Sequence, residues 1–202
     1  MRLPNLKMIF ATTKCRAIGY NEPVNNSYLP WRVKSDMVRF KTLTTGNIEQ
    51  GLMNAVVMGR TTWDTLSEKF RPLQGRANFV FSGQEDFICL GATKVSNRQT
   101  IIDHATNNPH IDVWITGGSQ IYDLFFDYAS EIHWTLIDVS LPKDDNMVYL
   151  NGFYRLSSPQ FEVISTENFV KSDTDQYDSQ HIILRGLEKP PASHFQEPYI
   201  GC

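Results

Sequence analysis

Ala55-Val56-Val57-Met58-Gly59-Arg60-Thr61-Thr62-Trp63-Asp64-Thr65-Leu66 is the stretch that decides the fold. Four apolar residues in a row read as a strand covered on both faces, as in a parallel sheet. Gly59 interrupts the run, and hydroxyl residues then start a short helix. The free N–H groups and the dipole at such a start outline an anion site, and Arg60 adds a fixed charge suited to phosphate. An ordinary capped helix with an exposed Arg has the same pattern.

The same grammar recurs on both sides. Ile111-Asp112-Val113-Trp114-Ile115-Thr116 reads as a strand, and Gly117-Gly118-Ser119-Gln120-Ile121-Tyr122 turns into a helix that runs to Phe126. Adjacent glycines admit close approach by a ligand or another backbone. The turn lacks the G-x-G-x-x-G fingerprint. Earlier, Met8-Ile9-Phe10-Ala11 lies in a strand over residues 7–13, and Ile18-Gly19 closes that unit. Asn78-Phe79-Val80-Phe81 is a further strand, entered through Phe70-Arg71-Pro72-Leu73-Gln74-Gly75-Arg76. Phe87-Ile88-Cys89-Leu90 reads as a short strand or an irregular edge, and residues 97–106 as a helix with Ile101 and Ile102 inward. Beyond Glu131 come Ile132-His133-Trp134-Thr135-Leu136-Ile137-Asp138-Val139, read as a strand, then strands at residues 161–166 and 180–184 joined by a polar turn. With no helix between them, those two strands form an antiparallel hairpin. The expected fold is α/β: a single domain with a mostly parallel central sheet of about eight strands, an antiparallel C-terminal hairpin and flanking helices. Both strand-to-helix turns then fall at the carboxyl edge of the sheet, where open α/β sheets bind ligands. Residues 1–186 form that domain, and 187–202 read as a tail.

Leu29-Pro30-Trp31-Arg32-Val33-Lys34-Ser35-Asp36-Met37-Val38-Arg39-Phe40 ends a turn-rich loop and opens a helix that stops near Gly46. Val33, Met37 and Phe40 share one apolar face, and Asp36 sits at its edge. Two readings stand. Asp36 is a solvated acid on the rim of an amphipathic helix, or a carboxyl held in an apolar pocket and tuned to handle a proton. Arg76, entering a strand, is either a surface residue or a grip for a substrate carboxylate.

A net charge of −3 gives no argument for nucleic acid or a membrane as partner. The first seven residues lack the apolar core of a signal peptide. Cys15, Cys89 and Cys202 form no CxxC pair, so reduced thiols in a cytoplasmic compartment are expected. The five histidines show no metal spacing, and no metal is expected.

Ile9-Phe10-Ala11, Ile18-Gly19, Leu29-Pro30-Trp31, Asp36, Phe40-Lys41, Val57 through Trp63, Arg71 through Arg76, Asn78, Ser82, Ile115 through Tyr122 and Thr135 occur in the order found in dihydrofolate reductases. The chain resembles that family from residue 6 to residue 186. The resemblance implies NADPH-dependent reduction of 7,8-dihydrofolate to tetrahydrofolate, serving one-carbon metabolism and thymidylate synthesis. It also implies binding of antifolate inhibitors and a monomeric enzyme. Asp36 corresponds to the acid that supports protonation of the pterin. Trp31 closes over the site, Thr135 bonds Asp36, and Tyr122 lies near the nicotinamide. Ile9, Phe10, Met37, Phe40, Leu66, Leu73 and Thr116 line the substrate pocket, and Arg76 takes the glutamyl α-carboxylate. Arg60, Thr62, Ser82 and the turn Gly117, Gly118, Ser119 and Gln120 hold the cofactor phosphates, with Ala11, Ile18, Gly19, Gly59, Thr61 and Ile121 beside them. The family has a cis Gly-Gly peptide, here Gly117-Gly118.

Some positions depart from the pattern. The loop from Gly19 to Leu29 is longer than in short bacterial forms, Thr116 replaces a branched hydrocarbon and makes the pocket more polar, and Thr61 and Gly83 stand where others grip the 2′-phosphate. Two alternatives remain: a riboflavin-pathway reductase of the same fold, and a non-catalytic folate- or NADPH-binding protein. Asp36 with Arg76 argues against the first, because a phosphoribosyl substrate needs neither, and Asp36 argues against the second, because only proton chemistry needs that acid.

Overall fold

Alternation along the first strand, β1 (Leu6–Thr13), sets the layers. Leu6, Met8 and Phe10 enter one core, and Ile9 enters another. The next wall strand, β3 (Ala55–Gly59), divides Ala55 and Val57 from Val56 and Met58 in the same way. Strands loaded on both faces need helices on both sides, which a parallel sheet with crossovers supplies. The computed structural model describes residues 3–187.

Between those strands lie β2 (Ala17–Tyr20) and α1 (Lys34–Thr44). After β3 come α2 (Arg60–Thr65), β4 (Ala77–Phe81), β5 (Thr93–Val95) and α3 (Arg98–Asn107). Then follow β6 (Val113–Gly117), α4 (Ser119–Phe125), β7 (Glu131–Ile137) and β8 (Met147–Tyr149). The hairpin of β9 (Phe161–Phe169) and β10 (Ser179–Gly186) closes the described chain. The main sheet has eight strands in the order β5-β4-β3-β6-β1-β7-β10-β9. It is parallel from β5 to β7 and antiparallel at β7-β10 and β10-β9. The fold class read from the sequence is the one observed.

Of the two readings of residues 87–90 the irregular one holds: they form no strand, and the edge strand is the three-residue β5, too short for its pattern to register. Three details differ from the sequence reading. Ile18-Gly19 does not merely end a unit: it belongs to β2, which pairs with β8 in a separate two-stranded sheet. Gly46 is not a left-handed helix stop. The cap residue Thr45 is extended, and Gly46 is small because a Cβ would run into the backbone of residues 52–54. Met37 does not share a buried face with Val33. It is 51% exposed while Val33 is 3% exposed, because Val33 precedes α1 and packs with Trp31 and Ile137 instead. The tail assigned to 187–202 lies, apart from Leu187, outside the described residues.

Helix α1 is held at its start by a distant segment. Val33 is the cap residue and offers no side-chain oxygen. Asp175, in the turn between β9 and β10, accepts the Ser35 N–H at 3.0 Å, the bond an N-cap side chain makes. Arg32 and Gln176 exchange two further bonds beside it, of 2.7 and 2.8 Å.

Candidate active site

Asp36 sits in the first turn of α1 with its side chain 17% exposed. The Thr135 side chain, brought from β7, hydrogen-bonds its carboxyl. Arg39, one turn on, places Nη1 3.7 Å from Asp36 Oδ1. Burial dominates and raises the proton affinity of Asp36; Thr135 and Arg39 oppose the shift, and the Asp175 charge adds to it. Asp175 behaves oppositely. Burial pushes it up, but hydrogen bonds from the Ser35 backbone and from the Ser172 and Ser35 hydroxyls prevail and hold it at about 2. Two neighbouring carboxyls are thus pushed apart: Asp175 stays ionised and caps the helix, and Asp36 is the one whose proton affinity is raised.

The walls beside Asp36 come from the same face of the sheet. Phe40, Leu66 and Leu73 pack partly buried against the core of Ile9, Val56, Met58, Trp63, Val80, Cys89 and Trp114. Arg76 reaches over Phe40 with its guanidinium 5.9 Å from the ring, and bonds Thr44 Oγ1 at 2.9 Å and the Gln74 carbonyl at 3.1 Å. Met37 stands at the open rim. Trp31 is buried in a cluster with Val33 and Ile137, against which Ala11, Val139 and Tyr177 pack.

Several groups are already engaged. The Tyr122 hydroxyl donates to the Ile9 carbonyl at 2.9 Å, with its ring on edge to Phe10, and burial raises its pKa. The Thr116 hydroxyl donates to the Val57 carbonyl at 3.1 Å, where the β3–β6 register shifts. Its polarity is therefore turned into the sheet, and the expected gain in pocket polarity is largely absorbed. Arg60 pairs with Asp64 at 3.2 Å on the exposed side of α2, so it is not a free cation.

The two strand-to-helix turns meet. A Cβ on Gly59 would lie 3.0 Å from Ile121 Cγ1, and one on Gly118 would lie 3.2 Å from Thr62 Oγ1. Gly117 has φ of 121° and the Gly117-Gly118 peptide is cis. Gly59 and Gly118 cap α2 and α4, with no side-chain cap bond among the described residues. Thr61 and Gln120 are exposed beside this joint, and Ile121 is buried under it. Ser119 is directed elsewhere, donating to the Tyr149 carbonyl at 2.9 Å. Ser82 is buried after β4 and accepts the Gln84 N–H at 3.2 Å. Ala11 pairs with Thr135, while Ile18 and Gly19 lie across the small sheet. The joint has the backbone donors and the missing side chains that a phosphate-bearing cofactor needs.

Sequence reasoning missed Arg39 and Asp175. Arg39 stood in the quoted helix stretch three residues after Asp36, a spacing that pairs side chains on one helix face. Asp175 carried no local signal.

The dihydrofolate reductase family model matches residues 5–185. A dihydrofolate reductase of Mycobacterium tuberculosis is 38% identical over 116 residues, covering 57% of this chain; the chain spans 64% of that relative. A putative dihydrofolate reductase of Caenorhabditis elegans is 33% identical over 155 residues, covering 71% of this chain and 79% of that one. The dihydrofolate reductase of Enterococcus faecalis, solved with NADP(H) and RAB-propyl, shares the fold with a TM-score of 0.71 at 19% identity. That match covers 93% of this chain and 100% of the other. The chain belongs to the dihydrofolate reductase family.

Proposed function

We propose that the chain reduces 7,8-dihydrofolate to 5,6,7,8-tetrahydrofolate with NADPH. The observation that carries this reading is the half-buried Asp36, bonded by Thr135 and raised in proton affinity beside an ionised Asp175. NADPH, when bound, supplies the hydride that reaches C6. The chain's own task is then to deliver a proton to N5 and to hold the ring.

Asp36 is the acid, acting with the substrate as one titrating unit. Thr135 orients its carboxyl, and Trp31 fixes the loop before α1. The pterin lies against Phe40, Leu66 and Met37, with Ile9, Phe10 and Thr116 at its amino end. The Ile9 carbonyl keeps one lone pair for that amino group while Tyr122 occupies the other. Leu73 and Arg76 receive the aminobenzoyl-glutamate, and Arg76 exchanges Thr44 for the α-carboxylate. Gly59, Thr61, Thr62, Gly117, Gly118 and Gln120 hold the cofactor phosphates at the joint, with Arg60 and Ser82 at its margin. Ala11, Ile18, Gly19 and Ile121 frame the nicotinamide side, and Ser119 anchors the turn. Antifolates that present a protonated diamino ring suit the same carboxyl.

We also propose a monomer, as the family resemblance implies. Cys15 and Cys89 are free thiols, which supports a cytoplasmic setting. Among the described residues no helix is long and apolar enough to cross a membrane. The deciding experiment follows NADPH absorbance with and without dihydrofolate. Oxidation that depends on dihydrofolate carries the reading. NADPH consumption only with a phosphoribosyl pyrimidine substrate, or binding of both ligands without turnover, overturns it.

A further inference from the structure

Beneath α1, on the face of the sheet that carries Thr135, lies a row of side chains that the reaction as described does not use. Glu131, His133 and Thr135 alternate along β7, and His181 faces Thr135 from β10. Glu131 Oε1 is 2.7 Å from His133 Nε2, and His133 Nδ1 is 3.2 Å from His181 Nε2. Both imidazoles are buried, at 5% and 8% exposure. His133 is further fixed on edge against Trp114, with centroids 5.1 Å apart.

This row has a direction. The hydrogen bond from His133, opposed by burial and helped by Lys7, keeps Glu131 ionised, so Glu131 only accepts. His133 must then carry its hydrogen on Nε2. When Nδ1 of His133 is the acceptor between the rings, His181 donates from Nε2. That leaves the Nδ1 of His181 bare at the far end. Burial first, then the Arg39 charge, then His133 push His181 down to about 4. Arg39 is stacked 4.2 Å over Phe169 of β9, and its Nη1 is buried with no hydrogen-bond partner among the described residues. The same Nη1 is the atom nearest Asp36.

We propose that Glu131, His133 and His181 form a positioning set for Asp36: Glu131 fixes the polarity of a buried imidazole row that ends at His181, opposite Thr135, and that polarity reaches the Asp36 carboxyl through Arg39. An acceptor at that end favours the guanidinium where it stands. A reversed row presents an N–H there, adds positive potential around Arg39 and Asp36, and favours the ionised carboxylate. The other charged groups around the row are Lys7 on β1, which bridges Glu131 and Asp112, Arg185 opposite Glu131, Glu167 opposite His181, and Asp175 above Asp36.

The inference rests on Asp36 being the acid, and its first test does not need turnover. In the ¹⁵N-labelled full chain at neutral pH, imidazole NMR shows His133 and His181 both as Nε2–H tautomers. Nδ1–H on either ring, or a cationic His133, overturns the proposal. The second test compares two carboxylates that share Lys7. Glu131→Gln removes the anchor, and Asp112→Asn removes a neighbour of similar exposure (27% and 28%) outside the row. The apparent pKa of the dihydrofolate reduction rate falls by about half a unit or more in Glu131→Gln, the scale of a nearby charge at effective dielectric ~20. It stays unchanged in Asp112→Asn. A profile of Glu131→Gln that superimposes on wild type, or an equal shift in Asp112→Asn, overturns the row as the cause. Absence of dihydrofolate reduction in the unaltered chain overturns the reaction assignment instead and leaves the tautomer result readable.

Discussion

The proposed substrate face and the proposed cofactor joint are made of different material. Around Asp36 the site is built from interlocked side chains: Thr135, Arg39 and Asp175 come from three elements and tune one carboxyl. At the joint of the two turns the site is built from backbone and from side chains that are missing, at Gly59, Gly117 and Gly118. A side-chain site is specific to chemistry, because each partner shifts a proton affinity. A backbone site is specific to shape, because any added carbon closes it. Single substitutions should therefore change the pH response on the substrate face and cofactor affinity at the joint.

Asp36→Asn is the sharpest break. It keeps the size and removes the proton route, so turnover at neutral pH should drop at least roughly 10²-fold, with partial recovery in acid. Thermal melting should move the other way. The folded Asp36 binds its proton more tightly than the unfolded chain does, so ionisation lowers stability as pH rises between the unfolded and folded pKa values. Asn removes that penalty, and the variant should melt higher than wild type at neutral pH. Near wild-type turnover in Asp36→Asn, or a lower melting point, would dissolve the contrast between the two regions.

Arg76→Leu comes next. Loss of a charge-assisted pair of about 1.5–3 kcal/mol weakens dihydrofolate roughly ten- to a hundredfold. A pterin lacking the glutamate should bind as before. If both ligands weaken alike in titrations, Arg76 serves α1 through Thr44 instead of the substrate.

Legibility follows the same division. Gly59 through Trp63, Gly117 through Tyr122 and Asp36 could be read because strand-to-helix turns and one acid on a helix are local patterns. Arg39 lay in view, but its pairing depended on which face of α1 is buried, and Met37 pointed to the wrong one. Asp175 and His181 act on residues more than a hundred positions away in the chain or across a strand pair. No periodicity records such a contact. The small sheet of β2 and β8 escaped because three and four residues are too few to show alternation.

Asp175→Ala should lower stability by about 1 kcal/mol, the usual effect of losing a helix cap. That corresponds to roughly 2–4 °C in melting temperature for a chain of this size. Because Asp175 is held at about 2, the stability it contributes is full above about pH 4 and fades as pH falls towards 2. Wild type and variant should converge in acid melts, and a constant gap would assign the effect to packing.

Arg60→Ala is the smallest change. Arg60 is exposed and already paired with Asp64, so its loss should raise the NADPH KM only about threefold, in the range of surface ion pairs. NADH should be unaffected. Equal damage to both cofactors would move Arg60 from the 2′-phosphate to the shape of the joint.

The cap on α1 has a consequence for how the protein is made. A ribosome that has delivered everything through Val139 has delivered Asp36, Thr135, Arg76 and both glycine turns. It has not yet delivered Asp175, which accepts the Ser35 N–H, or Phe169, on which Arg39 rests. Synthesis runs from the N-terminus, so the segment that seats the acid emerges after the residues it seats. Until it arrives, the nascent chain holds every residue of the proposed chemistry without the clamp that aligns them.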